Sequence, residues 1–369
     1  MSVEQVLEAL SGLRDPSAPP QAATLAAQLF EQAKAAERHA AVSVASQLVA
    51  REQPQEARNF GYGVLEHLVK LRWAEFTPED RSQMMQLAVS LLVDVGNNGL
   101  GETWNLKCKV SALVSDIARQ EGPPLWSSLV PQLLNFANTG PVQSELVALV
   151  LKWLPEEVTV HNDDLAVDRR RELLSGLTAS LGQILPFLYT MMESNFGAAI
   201  GAMQQGNQAI AQAHAGAASA AVNACGSYGD WAPVAAVHQA GIIDACGALL
   251  AAQELRGGAI DVLRQLSSRK RTVDDKAAFE AAMLRLFEVV LTSVQNVTAA
   301  GEMGMLQHQE FVTRLCDTLS LAGQGHLHVL KGRPEQHEAF LAAMMGFAQH
   351  KILQVSMTTL PCWLSLVKE

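Results

Sequence analysis

Three helix starts spaced 45 residues apart constrain the fold of this chain more than any other feature. They fall at positions 78, 123 and 168, each at the beginning of a segment with helical hydrophobic periodicity. The clearest start is TPEDRSQ, in which Thr77 suits the cap, Pro78 suits the first turn, and the following acids suit the positive end of the helix dipole. A fixed period of this length predicts a chain built from one repeated unit.

A second helix is predicted between each pair of starts. One is ETWNLKCKVSALVSDIARQ and the other is PVQSELVALVLKWLPEEV. Two helices in about 45 residues match a HEAT or armadillo repeat, which takes roughly 40–47 residues. We therefore predict an all-α protein, an α-solenoid of HEAT-type repeats whose apolar stripes are buried between neighbours and whose concave surface is long. The stripe of one such helix is Phe60, Val64, Leu65, Leu68 and Leu71.

The composition agrees with helices and limits the kind of partner. Apolar residues make up 49% of the chain and aromatic residues only 5%, and few stretches alternate with the period of a strand. The formal net charge of -10 argues against gripping a nucleic acid with the average surface, because phosphate binding needs clustered Lys and Arg. A net negative charge suits binding to a basic protein partner. A mildly acidic composition is equally common in proteins that have no such partner.

Cysteine usage and the absence of long apolar runs indicate the environment of the chain. Five scattered cysteines without a CxxC pair predict buried thiols in a reducing compartment. No apolar run reaches about 18 uninterrupted residues, and the first residues lack the features of a signal peptide. We expect a soluble intracellular protein with no membrane partner. The cysteines are Cys108, Cys225, Cys246, Cys316 and Cys362.

The helical hydrophobic periodicity becomes less regular after about residue 195. The Ala- and Gly-rich stretch at 198–225 resembles a linker, but its apolar spacing favours an ordered helix. The apolar pattern is still running at LPCWLSLVKE, without a polar capping repeat, so we expect the array to be incomplete at the C-terminus. Further helices are predicted at 233–250, 253–268, 274–297, 305–322 and 335–350.

No pattern in the sequence points to catalysis or to a cofactor. GNNGLG (96–101) lacks a preceding strand and a following GK[ST], so it is interpreted as a turn between helices. HNDD (161–164) and the pair His326 and His328 lack a second ligand cluster and are interpreted as solvated loops. We predict that the protein is not an enzyme and holds no metal or cofactor.

Two basic segments have two interpretations each. RRR (169–171) opens a helix, where the dipole disfavours cations, so it hints at an external partner or belongs to a solvated face. SSRKR (267–271) closes a helix, where cations are favoured; it also resembles a nuclear localisation signal.

Several segments, in order and spacing, resemble the N-terminal region of nuclear exportins of the importin-β (karyopherin) superfamily. They are EARNFGYGVLEHLVKLRW, PEDRSQMMQLAVSLL and SDIARQEGPPLWSSLVPQL. VDRRRELLSGL, YGDWAPV, LRQLSSRKRTVDDKAAFEAAM and ILQVSMTTLPCWLSLVKE are similar to the exportin-5/HASTY family. The resemblance runs from about residue 30 to the end and covers the first third or so of a full-length exportin. Departures are Gly122-Pro123 in place of an expected Trp-Pro, and the divergent stretch at 198–225.

The resemblance implies a function for the chain. Members of this family form a HEAT superhelix that binds Ran in its GTP form together with cargo in the nucleus, and they release cargo in the cytoplasm on GTP hydrolysis. The implied cargo is structured small RNA, above all microRNA precursors or microRNAs, with tRNA as a further candidate. Implied partners also include nuclear pore proteins, and the implied localisation is nucleus and cytoplasm, with shuttling between them. Much of the RNA-binding surface would lie in repeats beyond this segment.

The resemblance also implies a domain organisation. N-terminal helices would occupy 1–36, Ran-binding HEAT repeats 37–195, and further repeats of an incomplete array 196–369. Ran would lie on the concave second helices of the first repeats, predicted at 37–52, 78–96, 123–138 and 168–195. Polar positions on these helices that we predict to face the partner are Arg38, Gln47, Glu79, Arg81, Gln132, Asn135 and Arg169.

Three alternatives stay open at this point. The first is a karyopherin for protein cargo, or an importer, which composition does not distinguish. The second is a HEAT scaffold that organises a complex independently of Ran. The third, an enzyme, would require a pocket formed by residues far apart in sequence.

Overall fold

The computed structural model describes residues 2–12, 20–160, 165–270, 276–299 and 308–368, and no strand occurs among them. The all-α prediction is confirmed. The α-helices within these ranges are α1 Val3–Gly12, α2 Pro20–Ala35, α3 Arg38–Leu48, α4 Gln55–Leu71, α5 Pro78–Asn97, α6 Trp104–Glu121, α7 Pro123–Ala137, α8 Pro141–Thr159, α9 Val167–Gln204, α10 Gln208–Gly229, α11 Val234–Gln239, α12 Ile242–Leu249, α13 Arg256–Ser267, α14 Lys276–Ala299, α15 Gln309–His326, α16 Pro334–Ala348, α17 Leu353–Thr358 and α18 Leu360–Lys368. Short 3-10 turns occupy Trp73–Glu75, Gly99–Gly101 and Leu327–Leu330.

The three regularly spaced helix starts are confirmed. Helix α5 begins at Pro78, α7 at Pro123 and α9 at Val167. At the first of these, Thr77 Oγ1 accepts from the Asp80 amide at 3.2 Å and the Thr77 amide donates to Asp80 Oδ2 at 3.1 Å. This reciprocal capping satisfies two backbone donors that a helix end otherwise leaves without partners.

The chain divides into two compact units, residues 1–177 and 178–369. In the first unit, α3 packs on α4, α5 on α6, and α7 on α8, as two-helix repeats require. Helix α6 also packs against both α4 and α8. The second helices α4, α6 and α8 therefore form a closely stacked row.

This pairing corrects the predicted order of the helices within each repeat. Helices α3, α5 and α7 occupy the ranges 37–52, 78–96 and 123–138, which were predicted to be second helices. Each of these helices is instead the first member of its pair. A hydrophobic stripe shows that a helix packs, but not which neighbour it packs against. The pairing follows from the connections and the packing, which the stripe does not report.

The apolar stripe of α4 is buried except at its end. Phe60, Val64, Leu65 and Leu68 are buried, as predicted. Leu71 is 74% exposed, because α4 ends there and the chain turns away at Arg72. Its inclusion in the packed face was wrong.

The core of the first unit includes a tryptophan that joins consecutive repeats. Trp126 on α7 is 2% exposed, and its Nε1–H donates to the Ala118 carbonyl of α6 at 2.6 Å. Gly176 on α9 lies against it; a Cβ there would approach Pro123 Cγ to 2.5 Å and the Trp126 ring to 2.9 Å. Glycine at this position is therefore what allows α9 to approach α7 so closely.

In the second unit, α13 packs against α10, α12 and α15, and α14 packs against α12, α15 and α16. The ordered-helix interpretation of 198–225 is confirmed, since α9 and α10 cover nearly all of it. The predicted single helix at 233–250 is two helices. Gly241 separates them with a φ of +82°, and a Cβ there would lie 2.9 Å from the Tyr189 ring.

Helix α9 is long and apolar enough, by length and composition, to cross a membrane, and it is the one such helix among the residues searched. Its Leu173, Leu177 and Ile184 are fully buried in the protein. A core helix passes the same test, so we assign these side chains to the core.

Four of the five cysteines are buried free thiols, as predicted, and the fifth is half-buried. Cys225, Cys246, Cys316 and Cys362 are buried, and Cys108 is half-buried. Burial raises the pKa of Cys246 to about 12 and that of Cys108 to about 11. These thiols stay protonated near neutral pH and are therefore unreactive.

Candidate partner-binding face

The row formed by α4, α6 and α8 carries a ladder of charged side chains between repeats. We call it the second-helix face and define it by Glu66, Lys70, Lys109, Asp116 and Glu157. Glu66 and Lys70 lie on α4, Lys109 and Asp116 on α6, and Glu157 on α8. These groups join three consecutive repeats through one connected set of titratable side chains, with Lys70 and Lys109 close to the carboxyl groups.

Lys70 is the centre of this set. Its Nζ lies 3.3 Å from Glu66 Oε1, 3.5 Å from Asp116 Oδ1 and 3.4 Å from Glu157 Oε1. Although burial by itself lowers the pKa of Lys70, the surrounding carboxylates outweigh it and raise this pKa. The ammonium group is thus held charged, and it is still one-third exposed.

Asp116 is the least exposed member of the face. Its side chain is 2% exposed, and neither carboxyl oxygen has a hydrogen-bond partner among the described residues. Burial raises the pKa of Asp116 to about 8, and Glu157 and Glu66 add to this rise while Lys70 opposes it. Asp116 is therefore held as a neutral acid at pH 7, since a buried carboxylate without hydrogen bonds is costly.

The remaining charges lie nearer the surface. Lys109 Nζ lies 3.1 Å from Glu66 Oε2, and both side chains are about one-third exposed. Although burial by itself raises the pKa of Glu66, Lys109 and Lys70 lower it. Exposed pairs of this kind contribute only ~0–1 kcal/mol to stability, so they are free to exchange partners with a binding protein at little cost.

The connection that leads into α6 is fixed by a buried ion pair. Arg58 Nη1 on α4 donates to both oxygens of Glu102 at 2.9 Å, and Asn98 Nδ2 donates to Glu102 Oε1 at 2.7 Å. The two charged side chains are 9% and 3% exposed. This pair sets the register of α4 against α6 and thereby the position of the charged ladder.

Three of the residues predicted to face a partner are engaged within the first unit. Arg38 Nε lies 3.5 Å from Asp80 Oδ2, and Arg81 Nη2 donates to the Trp73 carbonyl at 3.3 Å. Arg169 Nη2 donates to the Gln120 carbonyl at 2.7 Å, at the C-terminal end of α6. Their guanidinium groups thus hold neighbouring elements together, whether or not they also meet a partner.

The other four predicted residues are exposed on first helices. They are Gln47, Glu79, Gln132 and Asn135. Gln47 Nε2 donates to the Ser43 carbonyl of its own helix at 3.2 Å. Because these residues lie on α3, α5 and α7, they do not join the second-helix face, and their contact with a partner stays a prediction.

The second-helix face was missed in the sequence because its members pair over long separations. Lys70 and Glu157, for example, are brought together by the stacking of α4, α6 and α8. One signal was present: Asp116 follows Leu113 and Val114 within the buried stretch of α6, where a carboxylate is unexpected.

The two basic segments have structural explanations in part. In RRR, Arg169 binds the end of α6, Arg171 pairs with Asp168 at 3.0 Å, and Arg170 is exposed. In SSRKR, Ser267 ends α13, and Arg269 Nη1 donates to the Gly229 carbonyl. Arg269 therefore contacts the end of α10 and not the end of α13, the helix that SSRKR closes, while Arg271 lies outside the described residues.

The proposed loops of the sequence analysis have mixed outcomes. Gly99–Gly101 forms a 3-10 turn between α5 and α6, as predicted for GNNGLG. His328 is exposed, but His326 is not in a solvated loop: it ends α15, is 5% exposed, and its Nε2 contacts the Ser267 carbonyl at 3.1 Å. The HNDD segment (161–164) lies outside the described residues. Among the residues searched, no group of three or more His, Cys, Asp or Glu is placed to hold a metal ion.

Comparison with known proteins identifies the class. Residues 103–263, which include α6 and α8 of the second-helix face, match the family model described as Exportin 1-like protein. Together with the stacked helical pairs, this match defines an exportin-type helical-repeat protein. The chain belongs to the exportin family, and within it to the exportin-5/HASTY group.

The relatives of this chain extend well beyond it. Protein HASTY 1 of Arabidopsis thaliana is 34% identical over 93% of this chain and 29% of its own length. Human Exportin-5 is 25% identical over 99% of this chain and 31% of its own length, and Exportin-1 of Schizosaccharomyces pombe is 20% identical over 89% and 30%. The chain thus spans less than a third of the length of these relatives.

Proposed function

We propose that this protein is a nuclear export receptor that binds Ran in its GTP form and carries structured small RNA from the nucleus to the cytoplasm. The cargo would be microRNA precursors or microRNAs, with tRNA as a further candidate. The receptor would shuttle between the two compartments, contact nuclear pore proteins and have no catalytic activity. The exportin-family match across residues 103–263 is the observation that carries this proposal.

The second-helix face supports the part of the proposal that concerns Ran. We expect the closely stacked second helices to line the concave side of the repeat array. In the first unit these helices carry the mixed charges of Glu66, Lys70 and Lys109. Such a surface suits a protein partner of mixed charge better than an RNA backbone, which needs clustered cations.

The first prediction concerns the nucleotide state of the partner. We expect the purified protein to bind Ran loaded with a non-hydrolysable GTP analogue at least tenfold more tightly than Ran loaded with GDP, a difference of about 1.4 kcal/mol. The reason is that an export receptor must distinguish the nuclear from the cytoplasmic form of Ran. Isothermal titration calorimetry with each form measures the two dissociation constants.

The same titration separates the alternatives. Equal affinity for both forms would contradict the proposal and favour a Ran-independent scaffold, because a scaffold has no reason to distinguish the nucleotide. If the GTP form is preferred, the effect of a structured RNA hairpin on Ran affinity is then measured with a longer chain that includes the further repeats, and no effect there would favour a karyopherin for protein cargo. Cargo and Ran that bind cooperatively must raise each other's affinity by the same factor.

A further inference from the structure

A basic cavity lies in the second unit. It has a volume of about 440 Å³ and lies at the junction of α15, the turn Leu327–Leu330 and the start of α16. Its lining includes the side chains of His328, Lys331, Arg333 and His337 and no carboxylate. In a chain with a net charge of -10, such a concentration of basic side chains is a local exception.

The cationic groups of this cavity are available to a ligand. Lys331 and Arg333 are exposed, and neither forms an ion pair with a carboxylate of the described residues. His328 Nε2 lies 3.8 Å from Glu280 Oε1, and Glu280 does not line the cavity. Glu335 and Glu338 also lie on the first turns of α16, but they do not line the cavity.

The backbone beside the cavity turns at Gly332, which has a φ of +82°, and leads directly into Pro334, the first residue of the 15-residue helix α16. Pro334 has no amide hydrogen, and Glu335 and Gln336, which carry the next amides, do not line the cavity. The preference for anions therefore rests on the side chains of Lys331 and Arg333.

We propose that this cavity binds a phosphorylated serine or threonine side chain of a partner protein. A phosphate monoester carries close to two negative charges and three acceptor oxygens, which Arg and Lys side chains bind strongly. The volume falls within the ~300–1,000 Å³ typical of small-molecule pockets, which leaves room for the phosphate together with the residue that carries it. The proposal does not depend on Ran or on RNA cargo.

Two features favour a phosphoprotein over RNA. No Phe, Tyr or Trp lines the cavity, so the rings it offers for the stacking of single-stranded bases are limited to those of His328 and His337. Its basic residues also form one cluster, whereas a nucleic acid backbone is gripped by a stripe of cations along many phosphates.

The test is the binding of a short phosphoserine peptide, acetyl-Gly-phosphoSer-Gly-amide, to the protein, followed by ³¹P NMR titration. Binding of the same peptide without the phosphate is followed by proton NMR for comparison. We expect saturable binding of the phosphopeptide only, weakened at least tenfold in Lys331→Glu/Arg333→Glu. The matched control, Arg51→Glu/Arg170→Glu, makes the same charge change at exposed residues of the first unit and should bind within twofold of the unmodified protein. Circular dichroism checks that both variants remain folded.

Four results would overturn the proposal. The first is no saturable binding of the phosphopeptide, and the second is an equal loss in the control variant, which would indicate non-specific attraction. The third is inorganic phosphate binding as tightly as the peptide, which would define a site for the free anion. The fourth is a 5′-phosphorylated single-stranded RNA that displaces the peptide and binds tenfold more tightly through Lys331 and Arg333, which would assign the cavity to RNA.

Discussion

Replacing Asp116 with asparagine should stabilise the protein by about 1 kcal/mol at pH 5 and by about 4–5 kcal/mol at pH 8. In the folded protein, burial raises the pKa of Asp116 to about 8, and in the unfolded chain this pKa returns to about 4. Between these values the folded chain holds a proton that the unfolded chain releases. Stability is therefore lost as the pH rises from about 4 to about 8, and asparagine, which does not titrate, removes this loss.

Urea denaturation of Asp116→Asn at pH 5, 6, 7 and 8 measures the effect. The difference in unfolding free energy from the unmodified protein should grow across this range and then level off. The control is Asp168→Asn, whose carboxylate is 95% exposed and which should change stability by less than about 0.5 kcal/mol at every pH. If Asp116→Asn instead destabilises the protein most at pH 8, the carboxyl is ionised and its pairing with Lys70 dominates.

Replacing Glu102 with glutamine should destabilise the protein by about 3–5 kcal/mol. Glu102 is the carboxylate on which Arg58 and Asn98 converge, and it and Arg58 are both nearly excluded from solvent. The neutral amide keeps the size of the side chain but leaves the buried guanidinium without a counter-charge. An unpaired buried charge costs much more than the pair itself contributes.

Chemical denaturation of Glu102→Gln measures this loss, with Glu79→Gln as the control. Glu79 is exposed at the first turn of α5, so its replacement should cost less than about 1 kcal/mol. The double replacement Arg58→Met/Glu102→Leu should recover most of the stability, because it removes both charges together. If Glu102→Gln lowers the unfolding free energy no more than Glu79→Gln does, the Arg58–Glu102 ion pair does not fix α4 against α6.

Local signals in the sequence were sufficient for the helices but not for their arrangement. Proline and capping residues mark a helix start through contacts within one turn, so the starts of α5, α7 and α9 could be predicted closely. The break at Gly241 was missed because an Ala-rich apolar run continues through it. The helix is interrupted at Gly241 because of the positive φ of this residue and the close Tyr189 ring, and neither leaves a periodic signal in the sequence.

The candidate site was the least predictable part. Exposed polar residues on a helix look alike in sequence, so the sequence does not distinguish Glu79 and Gln132, on first helices, from residues on the second helices that stack. The charged ladder arises only when Lys70 meets Asp116 and Glu157 from two other repeats. Contacts across dozens of residues depend on the rotation between repeats, which no short pattern encodes.

The central claim is that the protein recognises Ran-GTP through the second-helix face, and paired charge reversals test it most directly. We would measure the affinity for Ran-GTP of two variants, Lys109→Glu on the second-helix face and Glu79→Lys on a first helix. Their melting temperatures are first compared with that of the unmodified protein, to confirm that both variants are equally well folded. Lys109→Glu should weaken binding at least tenfold, and Glu79→Lys should leave it within twofold. Weakened binding in Glu79→Lys together with unchanged binding in Lys109→Glu would contradict the account and place the partner on the first helices.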